Sequence, residues 1–358
     1  MEKAFRKLDY SGQNIYIGLD THLKSWKTTI RVGDRFYKTF SQDPEAIVLS
    51  NYLKKNFPGG TYYSAYEASF SGFKAHRELT KLGINNIVVN PADIPTTDKE
   101  RKQKEDARDS RKIAEQLAAS NLVGIHIPDI EMEGDRSLLR FRKTLTKEIA
   151  RNKVRVKSFL YYHGVVVPHQ FSKTTNWSKR FIAWLETLDL PSASAKATLE
   201  TIIELVLFLR KKHLEVLKQI KFLSQQDTYK TNVGLLVSIP GIGLITAMTF
   251  LTEIEDVSRF KTLDKLCAYV GLVPMTNSSG ESESVGGITK RQNKVLRSML
   301  IESSWMAIRN DPALMLAYQK LIMRMKPSKA IIRIAKKMIN RIRYVLKSQT
   351  PYVKAVVE

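Results

Sequence analysis

The sequence has one cysteine, Cys267, six histidines, and only 35 acidic residues against 58 lysines and arginines. A single cysteine excludes an intrachain disulfide framework and cysteine-rich zinc sites, and it suits a reducing compartment. The histidines do not fall at metal-ligand spacing; His163 and His213 lie on apolar-periodic stretches and read as packing positions. No run approaches the ~18 apolar residues of a membrane helix, and the opening MEKAFRKLDYSGQN lacks the apolar centre of a signal peptide. The expectation is a soluble intracellular protein with no membrane partner. The shortage of acids leaves a formal net charge of +23 on 358 residues, of which 43% are hydrophobic and 26% charged. That apolar content excludes a disordered basic tail as the whole chain, and the length suits about two domains of roughly 150 residues. A folded chain this basic points to a polyanion, because nucleic acid rewards clustered Lys and Arg by releasing counterions.

The first third alternates strand-like and helix-like stretches. Residues 14–20 (NIYIGLD), 27–32 (KTTIRV) and 35–40 (RFYKTF) are rich in β-branched and aromatic residues, with Gly33-Asp34 placed for a tight hairpin. A helix over 44–56, a strand over 61–67, a helix over 72–82, a strand over 85–89 and a helix over 106–120 complete the order βββαβαβα. This order predicts an α/β domain with a mixed sheet and helices on its faces. The middle changes rhythm. Leu138, Leu145, Ile149, Asn152, Val156, Phe159 and His163 recur mostly three and four residues apart, and Leu199, Ile202, Val206, Leu209, His213, Leu217 and Ile220 do so in a second helix. The two helices are expected to pair antiparallel as a coiled-coil arm. From about Lys230 the chain reads as an all-α domain interrupted by a Gly/Ser-rich loop over 276–287. Its basic helices are expected over 289–309 and 328–347.

The scarce acids fall in a pattern. Asp20 closes the first strand and Glu67 the fourth, and carboxylates at the ends of neighbouring strands can share one crevice. Asp106 and Asp109, three residues apart, share a helix face, although Asp106 also suits an N-cap. Four acids converging in a basic chain would repel one another without a counterion. A pair of divalent cations with oxygen ligands is the natural one, and two metals can polarise a phosphodiester and activate the attacking oxygen.

At the other end, SIPGIGLITAMTFLTEI (238–254) holds a Pro-Gly-Ile-Gly turn between helices. Gly241 and Gly243 would admit a phosphate to backbone amides at a helix N-terminus, a helix-hairpin-helix-like signal, with a ligand-free tight turn as the other reading. The last helix carries Arg333, Lys336, Lys337 and Arg341 with no acid among them, and Ile331, Ala335, Met338, Ile342 and Val345 form its opposite apolar stripe. One face is expected to pack and the other to meet nucleic acid.

Asp20, Glu67, Asp106 and Asp109 on such a sheet resemble the DEDD set of the transposases of the insertion-sequence "one-ten" and "eleven-eleven" families, whose N-terminal domain is similar to the RuvC Holliday-junction resolvase. The segment RFKTLDKLCAYVGLVPMTNSSGESESVGGITKRQNKVLRSML resembles their C-terminal domain, through Phe260, Leu266, Tyr269, Gly271-Leu272, Pro274, the Ser-Gly pair and the Ile-Thr-Lys run. Gln292 departs from the pattern, which commonly has glycine there. The resemblance covers nearly the whole chain and implies a ribonuclease-H-like (RuvC-like) DEDD domain over 1–130, a coiled-coil arm over 131–228 and a helical transposase domain over 229–358. It implies that the four carboxylates bind magnesium, two ions per site, and that Ser279, directly before Gly280, attacks DNA and becomes linked to it; Ser278 is the adjacent competitor. Lys290, Arg291, Lys294 and Arg297, on a helix after it, could hold the phosphate backbone. It further implies DNA substrates, a structured noncoding bridge RNA as guide, a dimer-to-tetramer assembly with a composite site, and a cytoplasmic, nucleoid-associated place in a prokaryotic cell. Two rivals stay open from the residues alone: a metal-dependent nuclease or junction resolvase that uses water, and a nonenzymatic nucleic-acid-binding protein.

Overall fold

The computed structural model describes residues 9–95, 106–171, 177–279, 282–289 and 292–354, with side chains for all of these except 106–107, 275–279 and 282–286. The chain divides into two compact units, Met1–Ile127 and Pro128–Glu358.

The first unit is built on a five-stranded sheet of β1 (Asn14–Thr21), β2 (Trp26–Val32), β3 (Arg35–Gln42), β4 (Thr61–Glu67) and β5 (Asn85–Val89), in the order β3-β2-β1-β4-β5. The first three strands run antiparallel through the tight Gly33-Asp34 turn, and β4 and β5 join parallel to β1. This mixed order is compatible with the ribonuclease-H-like sheet. Alternation then sorts the side chains to two faces. Ile15, Ile17 and Leu19 of β1 join Tyr66 of β4 in a core completed by Leu49 and Leu53 of α1 (Ala46–Asn56) and Leu79 of α2 (Lys74–Lys81). On the opposite face Ala65 of β4 clusters with Val89 and with Ile113 of α3 (Asp106–Ala118).

The α3 helix lies unusually close to β1. A Cβ on Gly18 would stand 2.0 Å from the Ser110 carbonyl oxygen and 2.5 Å from the Ala114 nitrogen, so only glycine permits this approach. Hydroxyls pin the helix to the neighbouring strand β2 as well. The buried Ser110 meets Thr29 at 2.9 Å, Thr29 meets Thr39 at 2.8 Å, and Arg111 donates to Thr39 at 3.2 Å.

The second unit starts with the 33-residue α4 (Ile130–Tyr162), capped by Asp129, whose side chain accepts from the Met132 amide. The short α5 (Lys179–Glu186) precedes the 31-residue α6 (Ala193–Leu223), capped by Ser192. Val156 and Leu160 of α4 share a cluster with Leu199, Ile203 and Val206 of α6, while Leu139 and Leu145 cluster with Val216 and Ile220. Early residues of one helix therefore face late residues of the other, and the pair is antiparallel. The buried stripe differs in detail from the periodicity: Leu139 and Leu160 replace Leu138 and Phe159, Ile203 replaces Ile202, and Val216 replaces Leu217. His163 is half-buried against the rings of Phe159 and Tyr162. His213 meets Thr146 at 3.3 Å, where partial burial and the nearby Arg142 charge lower its pKa.

The remaining helices are α7 (Asp227–Val237), α8 (Leu244–Ile254), α9 (Leu263–Val270), α10 (Lys294–Asn310), α11 (Pro312–Ile322) and α12 (Pro327–Ser348). The apolar stripe expected on the last helix is the one buried: Ile331, Ala335, Met338, Ile342 and Val345 are all inside. The expected loop over 276–287, by contrast, is largely an antiparallel ribbon of β6 (Pro274–Ser279) and β7 (Ser282–Ile288), so this domain is not all-α. Serine and asparagine suggest a loop, but backbone pairing from Pro274–Ile288 to Ser279–Ser282 forms a ribbon, and Arg297 ties its two feet. The helix after it starts at Lys294 rather than 289, because Asn293 is its N-cap.

Candidate active site

Asp20 and Glu67 follow directly on Leu19 and Tyr66, which are partners in the parallel β1–β4 register, so the acids stand side by side at the strand ends. Asp20 is two residues beyond Gly18 and Glu67 two beyond Ala65. With a period of two, both project to the face covered by α3. On α3, Asp106 is one turn before Ser110, on the stripe that touches β1. The half-buried Asp109 is one turn before Ile113, on the stripe that touches β4. The Asp106 side chain lies outside the described residues. Among the described residues, no group of three or more metal-ligating side chains is close enough to hold an ion. The donor set nevertheless fits a hard divalent cation: oxygen ligands only, drawn from two strand ends and a helix that glycine and hydroxyl contacts hold against them.

His22 belongs to no motif in the sequence, although its spacing from Asp20 on a strand end signals a shared face. Its Nε2 is 3.4 Å from Asp20 Oδ2, and its ring stacks on Phe70 at 6.5 Å. Phe70 is 68% exposed. The loop that carries it is fastened by Thr21–Ser71 (2.9 Å) and by the Tyr66 hydroxyl donating to the Gly72 carbonyl (3.0 Å).

In the second unit the two glycines of the Pro-Gly-Ile-Gly turn differ in use. Gly241 has φ +89°, and a Cβ there would lie 2.4 Å from the Ser303 carbonyl oxygen, so its bareness serves the contact with α10. Gly243 is the N-cap of α8 and a Cβ there meets nothing within 4 Å, which leaves it as the glycine beside open space at a helix N-terminus. Backbone places Ser278 and Ser279 at the end of β6; their side chains, like Lys290 and Arg291, lie outside the described residues. Lys294 is exposed. Arg297 Nη1 donates to the carbonyls of Gly271 (3.2 Å) and Thr289 (3.1 Å), one on each side of the ribbon, and so ties its two feet together.

Two family models match. One, described as a transposase of the IS116/IS110/IS902 family, covers residues 233–319, which include Gly241, Gly243, Ser279 and the basic residues up to Arg297. The other, a DEDD transposase model of IS110, covers residues 66–163, which include Glu67, Asp106 and Asp109. The chain belongs to the IS110 family of transposases. It is 30% identical over 243 residues to the y4qE protein of Sinorhizobium fredii, a match that covers 68% of this chain and 58% of that protein. It is 26% identical to the transposase for insertion sequence element IS1533 of Leptospira borgpetersenii, over 68% of this chain and 70% of that one. The transposase for IS1111A of Coxiella burnetii is also 26% identical, over 66% and 63% respectively.

The basic helix α12 of this family member holds one surprise. Arg341, read from sequence as a nucleic-acid contact, is paired with Asp311, whose side chain is 1% exposed; the Nη1–Oδ2 distance is 2.5 Å. Asp311 also caps α11 through the Leu314 amide and accepts from the Tyr352 hydroxyl at 2.9 Å. The acid missing from the helix thus arrives from another element. Arg333 and Lys337 remain exposed and Lys336 half-buried. Although burial opposes it, hydrogen bonds and the Arg341 charge together hold the Asp311 carboxyl below the usual carboxylate range. A depressed folded-state pKa means that this stabilisation is present above about pH 4 and is lost as pH falls through the folded-state value. Arg341→Met is expected to destabilise the fold by about 3–5 kcal/mol in denaturant melts at pH 7, because it strands a buried carboxylate. The loss should shrink in melts at pH 3.

Proposed function

We propose that this IS110-family chain is a magnesium-dependent DNA transposase that cuts and rejoins strands through a phosphoserine–DNA link at Ser279. What supports the reading is that Asp20 and Glu67 end neighbouring strands on one sheet face, and that α3, whose first turn carries Asp106 and Asp109, packs over that face. These four carboxylates would hold two magnesium ions, whose chemistry there is polarisation of a phosphodiester and activation of the attacking oxygen. The chain's own part is positional. Gly18 and the Ser110–Thr29–Thr39 hydroxyls fix α3 against the strand ends, and His22 supports Asp20 from the strand side.

Serine chemistry suits transposition better than water. When the Ser279 oxygen bonds to phosphorus, one bond to a deoxyribose oxygen breaks, and that oxygen takes up a proton matching the one the serine loses. A deoxyribose hydroxyl can then reverse the exchange on a new strand without an external energy source. We further propose that the active form is a homodimer or tetramer. We read residues 131–228 as a coiled-coil arm, the α7–α8 turn as helix-hairpin-helix-like, and the first unit as RuvC-like. Gly243, Lys290, Arg291, Lys294, Arg333, Lys336 and Lys337 are the residues we assign to nucleic-acid backbone, with a bridge RNA as guide. Lys336→Ala with Lys337→Ala should weaken DNA binding about evenly across sequences and flatten its salt dependence, by a slope of about 0.9 for each phosphate left without its lysine.

The test is a covalent adduct trapped on nicked element-end DNA, with the linked peptide sequenced. We expect DNA on Ser279, not Ser278, and a discrete RNA that copurifies with the active protein. If no discrete RNA copurifies and the reaction needs none, the guided reading falls.

A further inference from the structure

The strongest unassigned chemistry in the second unit is a buried acid that no part of the proposed reaction uses. Glu253 sits in the last turn of α8 with its side chain 1% exposed. A carboxylate there is doubly misplaced, since it is withdrawn from water and stands at the negative end of a helix. Burial pushes its pKa up, but bonds and charge outweigh burial and leave it lowered. Arg140 of α4 grips it through two bonds, Nε to Oε1 at 2.7 Å and Nη2 to Oε2 at 2.8 Å. The third bond is the informative one. Asn293 Nδ2 donates to Glu253 Oε2 at 2.8 Å, while Asn293 Oδ1 accepts from the amides of Val295 and Leu296 to cap α10.

Asn293 is also where the ribbon that carries Ser279 returns to the helical scaffold. Its backbone nitrogen donates to the Tyr269 carbonyl at 3.0 Å, and the Tyr269 hydroxyl donates to the Glu253 carbonyl at 3.3 Å. One turn further along α10, Arg297 joins the two feet of the ribbon, which also meet through the Thr289 amide donating to the Val273 carbonyl at 3.1 Å. A continuous set of bonds therefore runs from α4 through Glu253 to the α10 cap and the base of the ribbon. The Arg140 side chain is more than half exposed and only the carboxylate is buried, so what fixes geometry is that the buried Glu253 has one arrangement that satisfies both its oxygens.

We infer that Glu253 is a positioning residue for the serine nucleophile, acting through Asn293. The inference rests on the proposed role of Ser279 and predicts a separation of binding from chemistry. Glu253→Gln should leave the DNA dissociation constant within about twofold and lower the rate of adduct formation at saturating DNA by about tenfold or more, the scale on which misplacing a reacting group acts. Asn293→Asp should do the same by setting two carboxylates against each other. The double variant Glu253→Gln with Asn293→Asp restores a hydrogen bond of reversed polarity and keeps a capping side chain, so it should recover most of the lost rate. Asn293→Ser, which keeps a cap but loses the amide donor, decides the matter if Glu253→Gln does not fold: a slow adduct supports the inference and a wild-type rate overturns it. Adduct formation by Glu253→Gln at the wild-type rate, or a double variant no better than either single one, also overturns it. Ser279→Ala in the same assay separates the two readings, because an adduct that persists there removes the serine assignment itself.

Discussion

Gly18→Ala is expected to destabilise the first unit and to abolish most DNA processing in one step. The added methyl would stand 2.0 Å from the Ser110 carbonyl oxygen and 2.5 Å from the Ala114 nitrogen, both backbone atoms of α3 that no rotamer change can move aside. The helix must shift by an ångström or so, which costs about 1–3 kcal/mol for an overpacked contact and more where backbone gives way. The same shift loosens Ser110 from Thr29 and displaces Asp106 and Asp109 from the strand ends that carry Asp20 and Glu67. If these carboxylates act as proposed, misplacing them by about 1 Å should cost roughly 100-fold in rate. Denaturant melts and magnesium-dependent cleavage assays on the full chain should therefore fall together. Gly134→Ala is the control: it lies in α4, where a Cβ meets nothing within 4 Å, and should be neutral or stabilising by up to about 1 kcal/mol. A Gly18→Ala chain with wild-type melting and cleavage would mean that α3 is not seated on β1.

This dependence on one glycine shows what the sequence discloses and what it withholds. Strands β1 to β5 are readable because β-branched and aromatic residues alternate between turn signals, and the two acids at strand ends follow from those boundaries. The buried face of α12 is readable for the same reason, since Ile331, Ala335, Met338, Ile342 and Val345 repeat at helical spacing. Periodicity is weaker at choosing between adjacent residues. In the long pair it marks Leu138 where Leu139 is buried and Ile202 where Ile203 is, because either choice satisfies a spacing of three or four. Partners across the fold leave no local trace at all. Asp311 neutralises Arg341 from 30 residues away, and Glu253 meets Asn293 from 40 away. In the string TFLTEIEDV, Glu253 reads as the wet end of an apolar helix. The ribbon over 274–288 escapes a reading by pattern because its serines, glycines and asparagine carry the composition of a loop, while what ties its feet, Arg297 bonded to the Gly271 and Thr289 carbonyls, lies outside its own strands.

Asp20→Asn is expected to lose activity heavily with little change in fold. The substitution keeps the volume of a side chain at the end of β1, so melting should stay within about 1 kcal/mol of wild type, the usual range for a change that leaves core packing intact. What disappears is a negative charge on the face shared with Glu67 and the first turn of α3. Carboxylates hold a divalent cation through charge as well as geometry, so an amide should weaken magnesium binding and with it stabilisation of the reacting phosphate. Removing one group from a pre-organised electrostatic site costs about 100- to 1,000-fold, and the loss should appear equally in adduct formation and in any water-driven cleavage. Ser279→Ala should behave differently: no adduct, unchanged DNA and magnesium binding, and at most slow hydrolysis, because it removes the proposed nucleophile and leaves the carboxylates in place. Time courses on one nicked substrate, resolved on denaturing gels for adduct and free cleaved strand, check both variants together. Full-rate strand cleavage by Ser279→Ala, with cleavage still lost in Asp20→Asn, would transfer the chemistry to water and make the chain a nuclease of the resolvase kind. Unchanged magnesium-dependent processing in Asp20→Asn would remove the metal site from the mechanism, whatever the serine does.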